Sequence, residues 1–113
     1  MQRNILLSAV PAQEQQRLMP YLTRVELEMG FIIARPNEPF SHVYFPEDLV
    51  TSTLQEMADG SCVEAGLMGV EGMAGIQVWL YADATPAQTI VQVPGHAQRM
   101  KTADFIRQVR DRD

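Results

Sequence analysis

Leu49-Val50-Thr51-Ser52-Thr53-Leu54-Gln55-Glu56-Met57, then Asp59-Gly60, then Cys62-Val63-Glu64-Ala65-Gly66-Leu67-Met68: this stretch decides the fold class. In its first half Ser and Thr interleave with Val and Leu, the two-residue period of a strand with one face on a core. Asp-Gly is a strong short-range signal for a tight hairpin turn, because both central positions of that turn favour φ > 0. The second half returns as a partner strand. The spacing predicts an antiparallel hairpin over residues 49–68.

Working upstream, His42-Val43-Tyr44-Phe45 reads as a strand stopped by Pro46. Pro36-Asn37-Glu38-Pro39 is a turn, since each proline fixes φ and keeps its predecessor out of the helical region. Phe31-Ile32-Ile33-Ala34 reads as a buried strand after Gly30. Val25-Glu26-Leu27-Glu28-Met29 alternates apolar and acidic, which predicts a half-buried strand. Downstream, Gln88 to Val93 is a strand closed by Pro94-Gly95, and His96 to Met100 a short last one. Two ends of the chain read differently. Asn4 is placed to cap a short helical turn at Ile5-Leu6-Leu7, and Pro11 to open a second helix reaching about Leu22. In that helix Leu18, Tyr21 and Leu22 share a face, Pro20 predicts a kink or early stop, and Glu14 pairs with Arg17. Thr102 or Asp104 opens a terminal helix with Phe105, Ile106 and Val109 inward.

Short strands punctuated by Gly and Pro, with no helix between successive strands, predict a mainly β jelly roll, sandwich or barrel. The expected layout is one domain over 1–113: helices over about 1–23, a β-barrel over 24–101, and a helix over 102–113. A chain of 113 residues, 46% hydrophobic and 20% charged, is long and apolar enough to fold around its own core. No apolar run approaches the length of a membrane span, and no basic segment followed by an apolar one opens the chain, so a cytoplasmic location is expected. The single cysteine, Cys62, excludes an internal disulfide and a multi-cysteine metal site.

Charge is informative when mapped. The net charge is −5, yet from Pro36 to Gln98 there is no Lys or Arg at all. The same stretch carries Glu38, Glu47, Asp48, Glu56, Asp59, Glu64, Glu71 and Asp83. Nucleic acid is bound through neutralised phosphates, so this body is excluded as a nucleic-acid surface. Arg99, Lys101, Arg107, Arg110 and Arg112 near the end of the chain are read as a solvated helix face.

One segment departs from strand grammar. In Gly66-Leu67-Met68-Gly69-Val70-Glu71-Gly72-Met73-Ala74-Gly75, glycine recurs every third residue, ahead of a short helix over Ile76 to Leu80. Two readings stand: a tight corner between sheets that needs glycine for packing, or a nest of backbone N–H groups aimed at an anion, with Glu71 accepting from a hydroxyl.

These pieces, in this order, resemble the N-terminal effector domain of the bacterial Crp/Fnr transcription regulators. The matching residues are Asn4-Ile5-Leu6-Leu7, Val10-Pro11-Ala12, Gly30, Pro36-Asn37-Glu38-Pro39, and His42 to Glu47. They continue with Asp59-Gly60, Val63 to Gly66, Gly69 to Gly75, and Val91-Gln92-Val93-Pro94-Gly95. The resemblance implies a double-stranded β-helix with flanking helices and the cyclic nucleotide-binding fold. It also implies an effector-sensing role in transcription regulation, and a homodimer in the full-length regulator. It places the pocket at Gly69, Glu71, Gly72 and Met73 and at Ala87, Gln88 and Thr89.

Two departures qualify the expectation. Members that hold a cyclic phosphate carry a Gly-Glu pair followed by an Arg and a Ser or Thr. Here Glu71 precedes Gly72, and the arginine position falls within Thr85-Pro86-Ala87-Gln88-Thr89, which holds no cation. A charge-assisted contact worth ~1.5–3 kcal/mol is thereby missing, so cAMP and cGMP are disfavoured as ligands, with Gln88 or Thr89 left to bind a neutral or weakly charged effector. No helix-turn-helix is present, so this chain alone is not expected to bind a DNA site. The alternatives are a ligand-free interaction or dimerisation module on the same barrel, and a genuine cyclic nucleotide receptor.

His42 and His96 lack the close spacing of a metal pair, and Cys62 has no cation nearby to favour its thiolate. No Gly-x-Ser-x-Gly turn or other nucleophile arrangement appears, so neither metal, cofactor nor catalysis is expected.

Overall fold

The computed structural model describes residues 3–79 and 86–112. Asp83, Thr85 and the expected helix end at Leu80 lie outside the described residues. Two short helices open the chain, α1 (Ile5–Ser8) and α2 (Ala12–Leu18), followed by a 3₁₀ turn over Met19–Tyr21. Pro20 accounts for that change, since it has no N–H to continue the α-helical ladder. Asn4 caps α1, its side chain accepting the Leu7 N–H at 3.0 Å. Pro11 sits one residue earlier than expected, at the N-cap of α2.

Among the described residues seven strands follow: β1 (Thr23–Leu27), β2 (Ile32–Ala34), β3 (His42–Pro46), β4 (Val50–Glu56), β5 (Cys62–Met68), β6 (Ala87–Val93) and β7 (Gly95–Lys101). They form two antiparallel sheets, of order β1-β7-β3 and β2-β6-β4-β5. The expected mainly β jelly roll with short helices at both ends is what the chain adopts. β4 and β5 form the hairpin read from residues 49–68, with Gly60 at φ +88° and Asp59 accepting the Ser61 N–H at 2.9 Å.

Several boundaries differ from the sequence reading. β1 stops at Leu27, leaving Met29 exposed, and β2 starts at Ile32, leaving Phe31 partly exposed. The Gly30 N–H donates to the Val91 carbonyl and the Phe31 carbonyl accepts the Val91 N–H, so this connection is held by backbone rather than by buried side chains. β7 is no short last strand: it runs seven residues and lies at the centre of its sheet, pairing Val25 with Ala97 and Val43 with Met100. β5 forms a sheet edge and is exposed along nearly its whole length. The chain ends in α4 (Thr102–Phe105), which widens into a π turn over Ile106–Arg110.

The core lies between the sheets and under the helices. Val43, Phe45, Leu49, Val91, Met100 and Phe105 are buried, with Leu7 and Leu18 of the N-terminal helices joining them. Between β5 and α3 (Ile76–Trp79), residues 69–75 form a corner. Ala74 exchanges backbone bonds with Tyr44 of β3, at 2.7 and 2.9 Å. Gly75 has φ +101°, and a Cβ there would stand 3.0 Å from a methyl of Val43. Only glycine meets both the backbone angle and the close approach.

Candidate functional site

The sequence-predicted residues do not converge on one pocket; the structure divides them among three places. Glu71 is exposed at the corner, where its carboxylate accepts the Gly69 N–H at 3.1 Å. Its own backbone N–H and that of Gly69 hold its carboxyl below the usual carboxylate value. The donor that an anion nest would offer at Gly69 is thus used by the chain's own side chain. The Gly72 N–H closes a turn onto the Gly69 carbonyl at 3.2 Å, and the Gly72 carbonyl accepts from the Asn4 amide at 2.8 Å. Ile5 donates its N–H to the Val70 carbonyl at 2.7 Å. The geometry favours the packing corner of the two readings of the glycine run.

Met73 goes elsewhere. It is buried in an apolar cavity walled by the N-terminal helices, α3 and α4.

Ala87, Gln88 and Thr89 lie on β6, paired with Gln55, Leu54 and Thr53 of β4. Ala34, Thr89, Thr53 and Gly66 are direct partners in one row across all four strands of their sheet. The row is made of small residues, two of them hydroxylic. Thr53 Oγ1 and Thr89 Oγ1 stand 3.4 Å apart, long for a hydroxyl pair, so both keep hydrogen-bonding capacity. Beside them opens a cleft of about 450 Å³, lined by Thr53, Gln55, Gly66, Met68, Pro86 and Ala87 with Ala65 and Leu67. Around Gly66 no atom stands within 4 Å of where a Cβ would be. A register shift between Thr53 and Leu54 leaves Ala65 as an extra residue of β5 at the same place, a bulge that bends the edge strand around the cleft. Gln88, on the neighbouring register position, is half-buried and is not among the lining residues.

Sequence reasoning did not single out Thr53, Gln55 or Pro86. The Asp59-Gly60 turn carries the register only as far as Leu54 opposite Glu64; the bulge at Ala65, which sets Thr53 opposite Gly66, has no such local signal. The cleft can offer hydroxyl and amide groups and a flat glycine surface, and among the described residues no cation lines it.

The histidines stand apart. Burial first, then Arg99 and Lys101, lower the basicity of His42. His96 Nδ1 lies 3.2 Å from Asp48 and Nε2 lies 3.3 Å from Glu26. Among the described residues no cluster suited to a metal ion is present, and no described helix is long and apolar enough to cross a membrane.

Two antiparallel sheets, a glycine corner with its short helix, and helices at both ends define the cyclic nucleotide-binding jelly-roll fold, and solved structures of that fold superpose on this chain. No family model and no curated protein sequence matches it. The regulatory subunit of a cAMP-independent protein kinase A from Trypanosoma cruzi, bound to guanosine, gives a TM-score of 0.78 at 16% identity, covering 90% of this chain and 37% of that one. The corresponding subunit from Trypanosoma brucei, as a triple mutant bound to cAMP in its A site, gives 0.78 at 20% identity over 90% and 38%. One of its three substitutions puts arginine in place of threonine. The sensor domain of the transcriptional regulator DNR from Pseudomonas aeruginosa gives 0.73 at 17% identity over 94% and 71%. This chain thus spans under two fifths of the kinase subunits. At such identities the likeness establishes the fold.

Proposed function

We propose that the chain is the effector-sensing domain of a Crp/Fnr-type transcription regulator, and that its cleft takes an uncharged, nucleoside-like molecule rather than a cyclic nucleotide. The observation that carries this reading is the absence of Lys and Arg from Pro36 to Gln98, the stretch that supplies every residue lining the cleft. A cyclic phosphate placed there meets no cation, while Glu64 and Glu71 lie at the two ends of the same β5-to-corner segment. A neutral ring finds an open surface at Gly66, the hydroxyl of Thr53 and the amide of Gln55. The kinase subunit bound to guanosine is a precedent on the same fold. In this reading the domain performs no catalysis, acts in a cytoplasmic homodimer, and leaves DNA contact to other parts of the regulator.

The test is a thermal melt with millimolar guanosine, cAMP or cGMP. A ligand at a hundred times its Kd stabilises by ~2.7 kcal/mol, a shift of roughly 10 °C for a domain of this size. The expected result is a shift with guanosine and none with the cyclic nucleotides. Pro86→Arg, which sets a guanidinium at the cleft, is expected to add a response to cAMP. A cAMP shift in the unmodified chain overturns the uncharged class. Silence with all three ligands overturns the nucleoside class and favours the ligand-free interaction module.

A further inference from the structure

A cavity of about 330 Å³ lies apart from the cleft. Leu7, Leu18, Phe45, Met73, Met100 and Phe105, all buried, form its walls, and the part-exposed Leu6, Ile76 and Trp79 form its mouth. The walls come from α1, α2, β3, the glycine corner, β7 and α4, so this is a chamber under the helices rather than a flat apolar face. Among the described residues its lining is apolar throughout, the Trp79 indole N–H being the one side-chain hydrogen-bonding group. Water needs two to four polar partners to settle in a cavity, and this lining does not supply them. The volume falls at the lower end of the range of small-molecule sites, which begin near ~300 Å³.

We infer that this chamber is a second ligand site, taking a compact uncharged hydrocarbon-like molecule of one or two rings, independent of what occupies the cleft. Such a ligand would touch α3 and α4 at once, across the edge-to-face contact of Trp79 and Phe105, whose rings lie 5.9 Å apart.

The experiment is a titration of the full chain, ¹³C-labelled at its methionine methyls, with toluene and then naphthalene. Saturable shifts of the Met73 and Met100 methyls are expected, together with a change in fluorescence of Trp79, the only tryptophan. Met29 and Met57, exposed and outside the lining, serve as controls and are expected to stay still. Leu6→Trp at the mouth, a part-exposed position, is expected to weaken toluene binding at least fivefold. Non-saturable shifts, or shifts shared equally by Met29 and Met57, overturn the site. So does movement of the Met73 and Met100 methyls on dilution without ligand, which would mean that a second copy of the chain fills the chamber.

Discussion

Replacing Asn4 by Ala tests whether the N-terminal turn is pinned to the glycine corner. Asn4 is fully buried and makes three hydrogen bonds: its Oδ1 accepts the Leu7 N–H at 3.0 Å, and its Nδ2 donates to the Pro46 and Gly72 carbonyls at 2.8 Å each. Loss of the cap costs about 1 kcal/mol. Each buried carbonyl left without its donor costs roughly another 1 kcal/mol. The sum is about 3 kcal/mol, a large part of the ~5–15 kcal/mol that holds a typical domain. At roughly 4 °C per kcal/mol for a chain of this length, the melting temperature falls by about 12 °C. Calorimetry at pH 7 reads it. Asn4→Ser keeps a capping oxygen but cannot span both carbonyls, so it recovers only about 1 kcal/mol of the loss. Asn4→Asp aims a carboxylate at two carbonyl oxygens and is no milder than Ala at pH 7. Burial raises its pKa, so that variant gains stability as the pH falls and the carboxyl becomes a donor. A loss under 1 kcal/mol in Asn4→Ala, or full rescue by Ser, would refute the clamp and leave Asn4 as a helix cap alone.

Two further substitutions probe the frame. Gly75→Ala forces an L residue to φ +101° and sets its Cβ against Val43, so a loss of about 2–3 kcal/mol is expected in a denaturant melt. Adding Val43→Ala relieves the contact but not the backbone angle, and the double variant is expected to stay below Val43→Ala alone. Asp48 accepts the His96 N–H, and this bond, followed by the His96 ring, holds its carboxyl below the usual value. A depressed carboxylate contributes stability above its unfolded pKa and loses it as the pH falls through the folded value, here below about pH 4. Asp48→Asn is therefore expected to flatten the acid limb of a urea-melt series from pH 7 to 3. At pH 7 its cost is under about 1 kcal/mol, because the pair is solvent-screened.

The fold was legible where the signal is local. Asp59-Gly60 fixes a hairpin within its own neighbours, and Asn4 is a cap because Leu7 is three residues on. The partners of β7 are far away in sequence, and nothing between His96 and Met100 announces a central strand. β5 has a strand's composition but not a strand's faces. The extra residue at Ala65 breaks its alternation, and its edge position leaves Val63 and Leu67 exposed. The candidate site was legible in part for the same reason. A glycine every third residue marks close packing without saying of what, and here each glycine meets something different. Gly75 faces Val43, Gly72 faces the Met68 side chain, Gly69 faces the Glu71 carboxylate, and Gly66 faces open space at the cleft. One spacing therefore covers four separate causes.

The corner itself explains why the two openings belong in one account. Met68, the last residue of β5, lines the cleft; Met73, five residues on, lines the apolar chamber. The backbone between them is held by Asn4 and Ile5, and just beyond Met73 by Tyr44, rather than left free to receive a phosphate. Occupancy of the cleft and packing of the chamber thus act on opposite ends of one short, anchored segment. Continuity of this kind is not coupling, which exists only where two ligands change each other's affinity, and by linkage they must do so by the same factor. An anchored corner can transmit only if it has two arrangements. Its most replaceable tie is the exposed Glu71 carboxylate on the Gly69 N–H, since the bonds of Asn4 and Tyr44 lie in the buried frame. That tie, not the buried clamp, is the one that a second arrangement of the corner would give up first.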